Sequence, residues 1–190
     1  MLAAVFATAL EADFAIRRFD LKRRSGGDFE LYTRGDCALL ISGIGPLEAA
    51  LAARYLLDNF KPERICNFGA CGALNKDLKV CDIVRVAKVV SRDAFCGREF
   101  RLSSGGVTLL TSTNPVIKSA TRQRLSERAD AVDMEAYGIL RALELAKFDI
   151  SNFSAVKLVS DVGEDCAISE SLGRHISLLE DSVAEFFGAV

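Results

Sequence analysis

Short apolar runs alternate with longer amphipathic stretches along this chain. "LAAVFAT" at 2–8 is uniformly apolar and too short for a buried helix, so it reads as a buried strand. "ALEADFAIRRF" then turns the chain into a helix or helical turn. "CALLIS" at 37–42 is a second buried strand, broken by "GIGP". "LEAALAARYLLDNF" at 47–60 predicts a helix, with Pro46 near its start and Pro62 just past its end. "RICNFG" at 64–69 is a third strand running into the small-residue loop "GACGAL", and "DIVRVAKVV" at 82–90 is a fourth. A polar loop over 91–106 precedes the strand-like "VTLLTS" at 107–112. A helix over 130–147 and the strand "SAVKLVS" at 154–160 follow. The C-terminal helix carries Ile168, Leu172, Ile176, Leu179, Val183 and Phe186 or Phe187 along one stripe. Strands that alternate with helices and are apolar throughout predict an α/β sandwich around a largely buried sheet.

One residue breaks the pattern. In a helix over 130–147, at about 100° per residue, Val132, Ala136, Ile139, Ala142, Leu143 and Ala146 form one apolar arc. Asp133, Tyr137, Arg141 and Glu144 lie opposite. Glu135 projects into the apolar arc, where a carboxylate is costly unless paired or hydrogen-bonded.

Composition narrows the function classes. The chain has 190 residues, enough for one domain over 1–190 with a substantial core. Its net charge of −2 gives no electrostatic reason to expect nucleic acid or an anionic membrane as partner. The basic cluster "IRRFDLKRR" at 16–24 reads as solvated surface. "MLAAVFATALEA" lacks a basic leader and meets Glu11 and Asp13 at once, which argues against a signal peptide. No apolar run approaches a membrane span. The six cysteines form no C-x-x-C pair and there is one histidine, so no zinc set is visible and no metal or cofactor is expected. Reduced thiols in a cytoplasmic protein are the simple reading, with Cys37, Cys66 and Cys81 acting as small hydrophobes.

In α/β folds ligands sit beyond the carboxyl ends of the strands. Four such ends are distinctive here: "ATALEADF", "SGIGP", "NFGACGAL" and "VSDVGED". Each also has a purely structural reading. "SGIGP" serves as a turn with a helix start, "SD" as a turn or cap, and Glu11 and Asp13 as charges favourable to a first helical turn. Glu135 could belong to a buried ion pair. The conjunction is what points to a site, because carboxylates from three separated segments lie beside loops of small residues.

"SGIGPLEAALAA", "NFGACGALNKDLKVCDIV", "AVDMEA" and "VSDV" stand in the order and approximate spacing of the nucleoside phosphorylase and nucleosidase superfamily, over residues 3 to about 188. The chain most resembles the 5′-methylthioadenosine/S-adenosylhomocysteine nucleosidase branch. "VDMEA" and the compact "LLTSTNPVIKSATRQRLSERADA" are also similar to the shorter futalosine hydrolases and hopanoid-associated enzymes. The resemblance implies a three-layer αβα sandwich with a central mixed sheet. It implies that Glu135 accepts hydrogen bonds from the ribose hydroxyls while Met134 packs on the sugar. Asp161 would give a proton to purine N7 from an apolar strand end. Asp133, Ser160, Gly45, Ala70, Cys71 and Gly72 would complete the binding site, with Leu10 and Ile44 around an apolar 5′-group. A homodimer is expected by analogy.

The nucleophile separates hydrolases from phosphorylases. Where phosphorylases with a related "R-V-G-S-C-G-A" segment hold phosphate with arginine and serine, this chain has Asn67 and Ala70. "ALEADF" resembles the nucleosidases' "A-M-E-E-E-V", which implies Asp13 as the base that activates water. The expected activity is hydrolysis of a purine nucleoside, of the methylthioadenosine or S-adenosylhomocysteine kind. A phosphate-dependent purine nucleoside phosphorylase, a futalosine- or hopanoid-type nucleosidase relative and a non-catalytic nucleoside-binding relative are the alternatives. The segment 91–128, shorter than in typical members, leaves the base-stacking aromatic unplaced, with Phe95 and Phe100 as candidates.

Overall fold

Strand β1 (Leu2–Phe6) shows why the strands read as apolar runs. Its residues point alternately to two faces, and both faces are covered. Ala3 and Val5 join one cluster, packed with Ala49, Ala52 and Leu56 of helix α2 (Pro46–Phe60) and Ile139, Leu140 and Leu143 of helix α4 (Ala136–Leu145). Ala4 and Phe6 join the other cluster, with Ala12 and Ala15 of helix α1 (Ala9–Arg18) and Val183, Phe186 and Phe187 of the C-terminal helix α5 (Glu180–Phe187). These are the three layers of an αβα sandwich. The computed structural model describes residues 1–93, 98–163, 173 and 175–188.

The central sheet is mixed. Strand β1 lies parallel between β4 (Cys37–Ile41) and β5 (Arg64–Ala73), and β5 lies parallel to β10 (Phe153–Asp161). Beyond β4 the antiparallel edge is formed by β3 (Glu30–Arg34) and β2 (Lys22–Arg24). Strands β6 (Ile83–Ser91), β8 (Val107–Thr111) and β9 (Ala131–Asp133) run from β10 back to β5, with β7 (Glu99–Arg101) on the outside of β6. The sheet therefore curls on itself, since β5 pairs with both β9 and β10.

Several expectations shift. The strand over 64–69 runs on to Ala73, so the small residues of "GACGA" lie within β5 and not in a loop. The helix over 130–147 is a three-residue strand followed by α4, and Glu135 stands at the N-terminal boundary of that helix. The segment 91–106 contains β7, and a short helix α3 (Ser119–Leu125) lies where no element was expected. All three residues of β2 are exposed, as the solvated reading of 16–24 requires. Ile168 and Leu172 lie outside the described residues, whereas Ile176, Leu179, Val183, Phe186 and Phe187 are buried together. Among the described residues no helix is long and apolar enough to cross a membrane.

Candidate active site

A cavity of about 220 Å³ opens beyond the ends of β1, β4, β5 and β10. Its polar lining is dominated by carboxylates, from Glu11, Asp133, Glu135 and Asp161. A larger cavity of about 640 Å³ lies on the far side of Arg122, but no carboxylate lines it.

Glu11 is placed by the start of α1. Thr8 caps the helix, and its side-chain oxygen accepts from the Glu11 N–H. The Glu11 carboxylate reaches back in a capping box, accepting from the Thr8 N–H at 2.9 Å and the Thr8 hydroxyl at 3.0 Å. Its other oxygen accepts from the Ala70 N–H of β5 at 2.9 Å. Gly69 makes that approach possible: its φ is +148°, and a Cβ there would stand 2.8 Å from the Glu11 oxygen. Three donors leave a buried carboxylate with one lone-pair direction of about four unused.

Glu135 accepts from the Gly45 N–H at 3.1 Å, at the start of α2. Burial, at 6 % exposure, pushes its carboxyl up to about 7. Lys157 pulls the other way, while Asp133 adds to the rise. Lys157 is 1 % exposed on β10 and pairs with Asp133 at 3.0 Å. Asp133 also accepts from the Thr111 hydroxyl at 2.6 Å and caps α4 through the Ala136 N–H at 3.0 Å. Thus a buried ion pair fixes the turn that carries Met134 and Glu135, and it belongs to Asp133 rather than to Glu135. Met134 is half-buried in the cavity wall.

Asp161 ends β10 and is 3 % exposed. One oxygen pairs with the Arg122 guanidinium, and the other lies 3.2 Å from the Ser160 hydroxyl. Arg122 is itself buried and held by two carbonyl oxygens, of Val116 and Ala73, each at 2.8 Å. The expectation of apolar walls around Asp161 is thereby corrected: a short helix turns a cation onto it. Burial pushes the Cys71 thiol, also in the lining, up to about 12, which leaves it a poor nucleophile. Among the described residues no cluster of side chains could hold a metal ion.

The model of the phosphorylase superfamily matches residues 5–127, more than half of the chain. The chain belongs to the phosphorylase superfamily. Superfamily relatives of known structure have the same fold. A 5′-methylthioadenosine/S-adenosylhomocysteine nucleosidase from Neisseria meningitidis, in complex with methylthio-immucillin-A, has a TM-score of 0.84 at 22% identity, covering 100% of this chain and 99% of that one. The nucleosidase from Colwellia psychrerythraea 34H in complex with adenine reaches 0.86 at 21%, over 99% and 94%. A futalosine hydrolase mutant from Helicobacter pylori reaches 0.82 at 16%, over 97% and 98%.

Within this superfamily fold, Glu135, Met134, Asp133, Ser160, Asp161, Ile44, Ala70, Cys71 and Gly72 all line the cavity. Gly45 contributes through its N–H. Four residues fall elsewhere. Asp13 points to solvent with its side chain 55% exposed and paired with Arg17, so it is not the carboxylate of the first strand end. Glu11, one helical face away, takes that place. Leu10 is half exposed and outside the lining. Asn67 is buried between strands, donating to the Val5 carbonyl at 3.2 Å, and does not face the cavity. Phe100 packs edge-on to Tyr137 in the core, 5.6 Å between centroids, and so cannot stack on a base. Phe95 lies outside the described residues. Arg122 was not foreseen at all.

Proposed function

We propose that this protein hydrolyses the N-glycosidic bond of a purine nucleoside carrying a 5′-thioether, the group shared by the substrates named for its methylthioadenosine/S-adenosylhomocysteine nucleosidase neighbours. The observation that carries this reading is the convergence of Glu11, Glu135 and Asp161 on one cavity from three separate segments. Glu11 is hydrogen-bonded to β5 at Ala70, and Asp161 pairs with β5 at Gly72. At about 3.3 Å per residue, that spacing leaves room for a sugar and its bond to the base between them.

In this reading a water accepted by the unused lone pair of Glu11 attacks C1′ and gives its proton to that carboxylate. The C1′–N9 bond breaks and its electron pair leaves with the base. Asp161 delivers a proton to N7, and Arg122 stabilises the carboxylate left behind. Glu135 accepts the ribose hydroxyls and, when ionised, favours the positive charge that develops on the sugar. Two carboxylates at the sugar end oppose phosphate. The cation of the cavity lining, Arg122, is already paired with Asp161.

Incubation with methylthioadenosine, S-adenosylhomocysteine, adenosine and futalosine, followed by chromatography for free base, tests the reading. Release of base from none of them would overturn it.

The same site supports a homodimer. Leu10 at the start of α1, Ile44 in the cavity lining, and Leu47 and Leu51 in the first turns of α2 are 50 to 67 % exposed, and a second copy would cover them.

A further inference from the structure

Arg122 changes what the base end of the cavity can recognise. A lone carboxylate offers two acceptors side by side. A purine protonated at N7 with an amino group at C6 presents two donors along that edge, N7–H and N6–H, and matches it. Asp161 is not a lone carboxylate. One lone pair of its Oδ1 accepts from Arg122, which lines the cavity beside it and adds a donor to that edge. The edge therefore reads acceptor then donor. The complement is a purine with N7–H and an oxygen at C6.

The guanidinium is built into this position. It is 7 % exposed, and its Nε–H and one Nη1–H are spent on the carbonyls of Val116 and Ala73. One Nη2–H goes to Asp161. Of five N–H groups, these bonds leave two among the described residues, one on each terminal nitrogen. β5 makes room for the pair at Gly72, where a Cβ would stand 2.8 Å from Arg122 Nη2 and 3.1 Å from Asp161 Oδ2.

We infer that Arg122 sets base specificity, and that the site takes a 6-oxopurine nucleoside in preference to a 6-aminopurine one. The inference rests on reading the cavity as a purine nucleoside site, and it refines which purine. An oxygen at C6 accepts from Arg122 while Asp161 accepts from N7–H. An amino group there turns donor against donor, and desolvates the guanidinium without a partner.

Calorimetric titration of the wild-type protein with hypoxanthine and with adenine tests this without any turnover. Hypoxanthine is expected to bind about 10- to 100-fold more tightly, the discrimination an arginine gives between matched and mismatched purine edges. The kcat/KM ratio of methylthioinosine to methylthioadenosine should favour the former by a similar factor. Arg122→Met should abolish the preference. Arg122→Lys, which keeps charge but not the fork, should weaken it. Thermal melts would show whether either variant folds, and the wild-type ratio decides the matter if neither does. Tighter binding of adenine, equal binding, or no binding of either base would overturn the inference. Cleavage of methylthioadenosine faster than methylthioinosine would overturn it while leaving the nucleosidase reading intact. Predicted base binding with no cleavage of either nucleoside would sustain it while the nucleosidase reading fell.

Discussion

Replacing Glu135 by glutamine should make the protein more stable at alkaline pH and much less active. The carboxyl is raised from 4.5 to about 7, chiefly by burial. An acid whose folded pKa is raised favours the fold only while protonated. Its contribution is intact below 4.5 and is lost as pH climbs to about 7. The shift corresponds to about 3 kcal/mol of stability lost at pH 8, at about 1.4 kcal/mol per unit. Glutamine never ionises and can still accept the Gly45 N–H. Glu135→Gln should thus melt close to the wild type at pH 5 and roughly 6 to 12 °C above it at pH 8, at about 2–4 °C per kcal/mol for a chain of this size. At pH 8 kcat/KM should fall about 100-fold, roughly 3 kcal/mol of transition-state binding, since the ribose loses a charged acceptor, and the gap should shrink towards pH 5. The wild-type kcat/KM should also decline below about pH 7, as the free enzyme's Glu135 takes up its proton, and that limb should vanish in the variant. Melting curves at both pH values and a pH–rate profile check this. A variant that melts lower than the wild type at pH 8, or that keeps full turnover, would refute the reasoning.

Two pairs of substitutions separate the roles of the other acidic and apolar residues. Glu11→Gln should cost orders of magnitude in turnover while Asp13→Asn stays near wild type, measured as initial rates; the opposite ranking would restore Asp13 as the base. Leu47→Glu with Leu51→Glu should shift a dimer to a monomer in light scattering, whereas an unchanged mass would remove these residues from any interface.

Much of the fold was legible because its strands are buried on both faces. Uniformly apolar runs such as "LAAVFAT" and "CALLIS" reveal strands wherever Ala, Val and Leu alternate between two cores. The polar, exposed β2 and the three-residue β9 carry no such signal. β9 exists through its pairing with β5 and β8, and that tertiary pairing makes "AVD" a strand where local periodicity suggests helix. Glu135 was visible as an anomaly, yet its explanation lies at a strand–helix junction. The register of the first strand end could have been read correctly: "TALE" at 8–11 is a T-x-x-E capping box, which fixes Thr8 as the cap and turns Glu11 inward. Arg122 could not have been. In "SATRQRLSER" it looks like one more solvated charge, and its partner Asp161 stands 39 residues further along the chain.

In the proposed reaction water, not phosphate, attacks the sugar. The direct measurement is turnover of a purine nucleoside in phosphate-free buffer made with ¹⁸O-labelled water, with the sugar product analysed by mass spectrometry. The expected products are free base and a ribose labelled at C1, formed at a rate that added phosphate leaves unchanged. Turnover that appears only with phosphate, yielding ribose 1-phosphate without label from water, would contradict it.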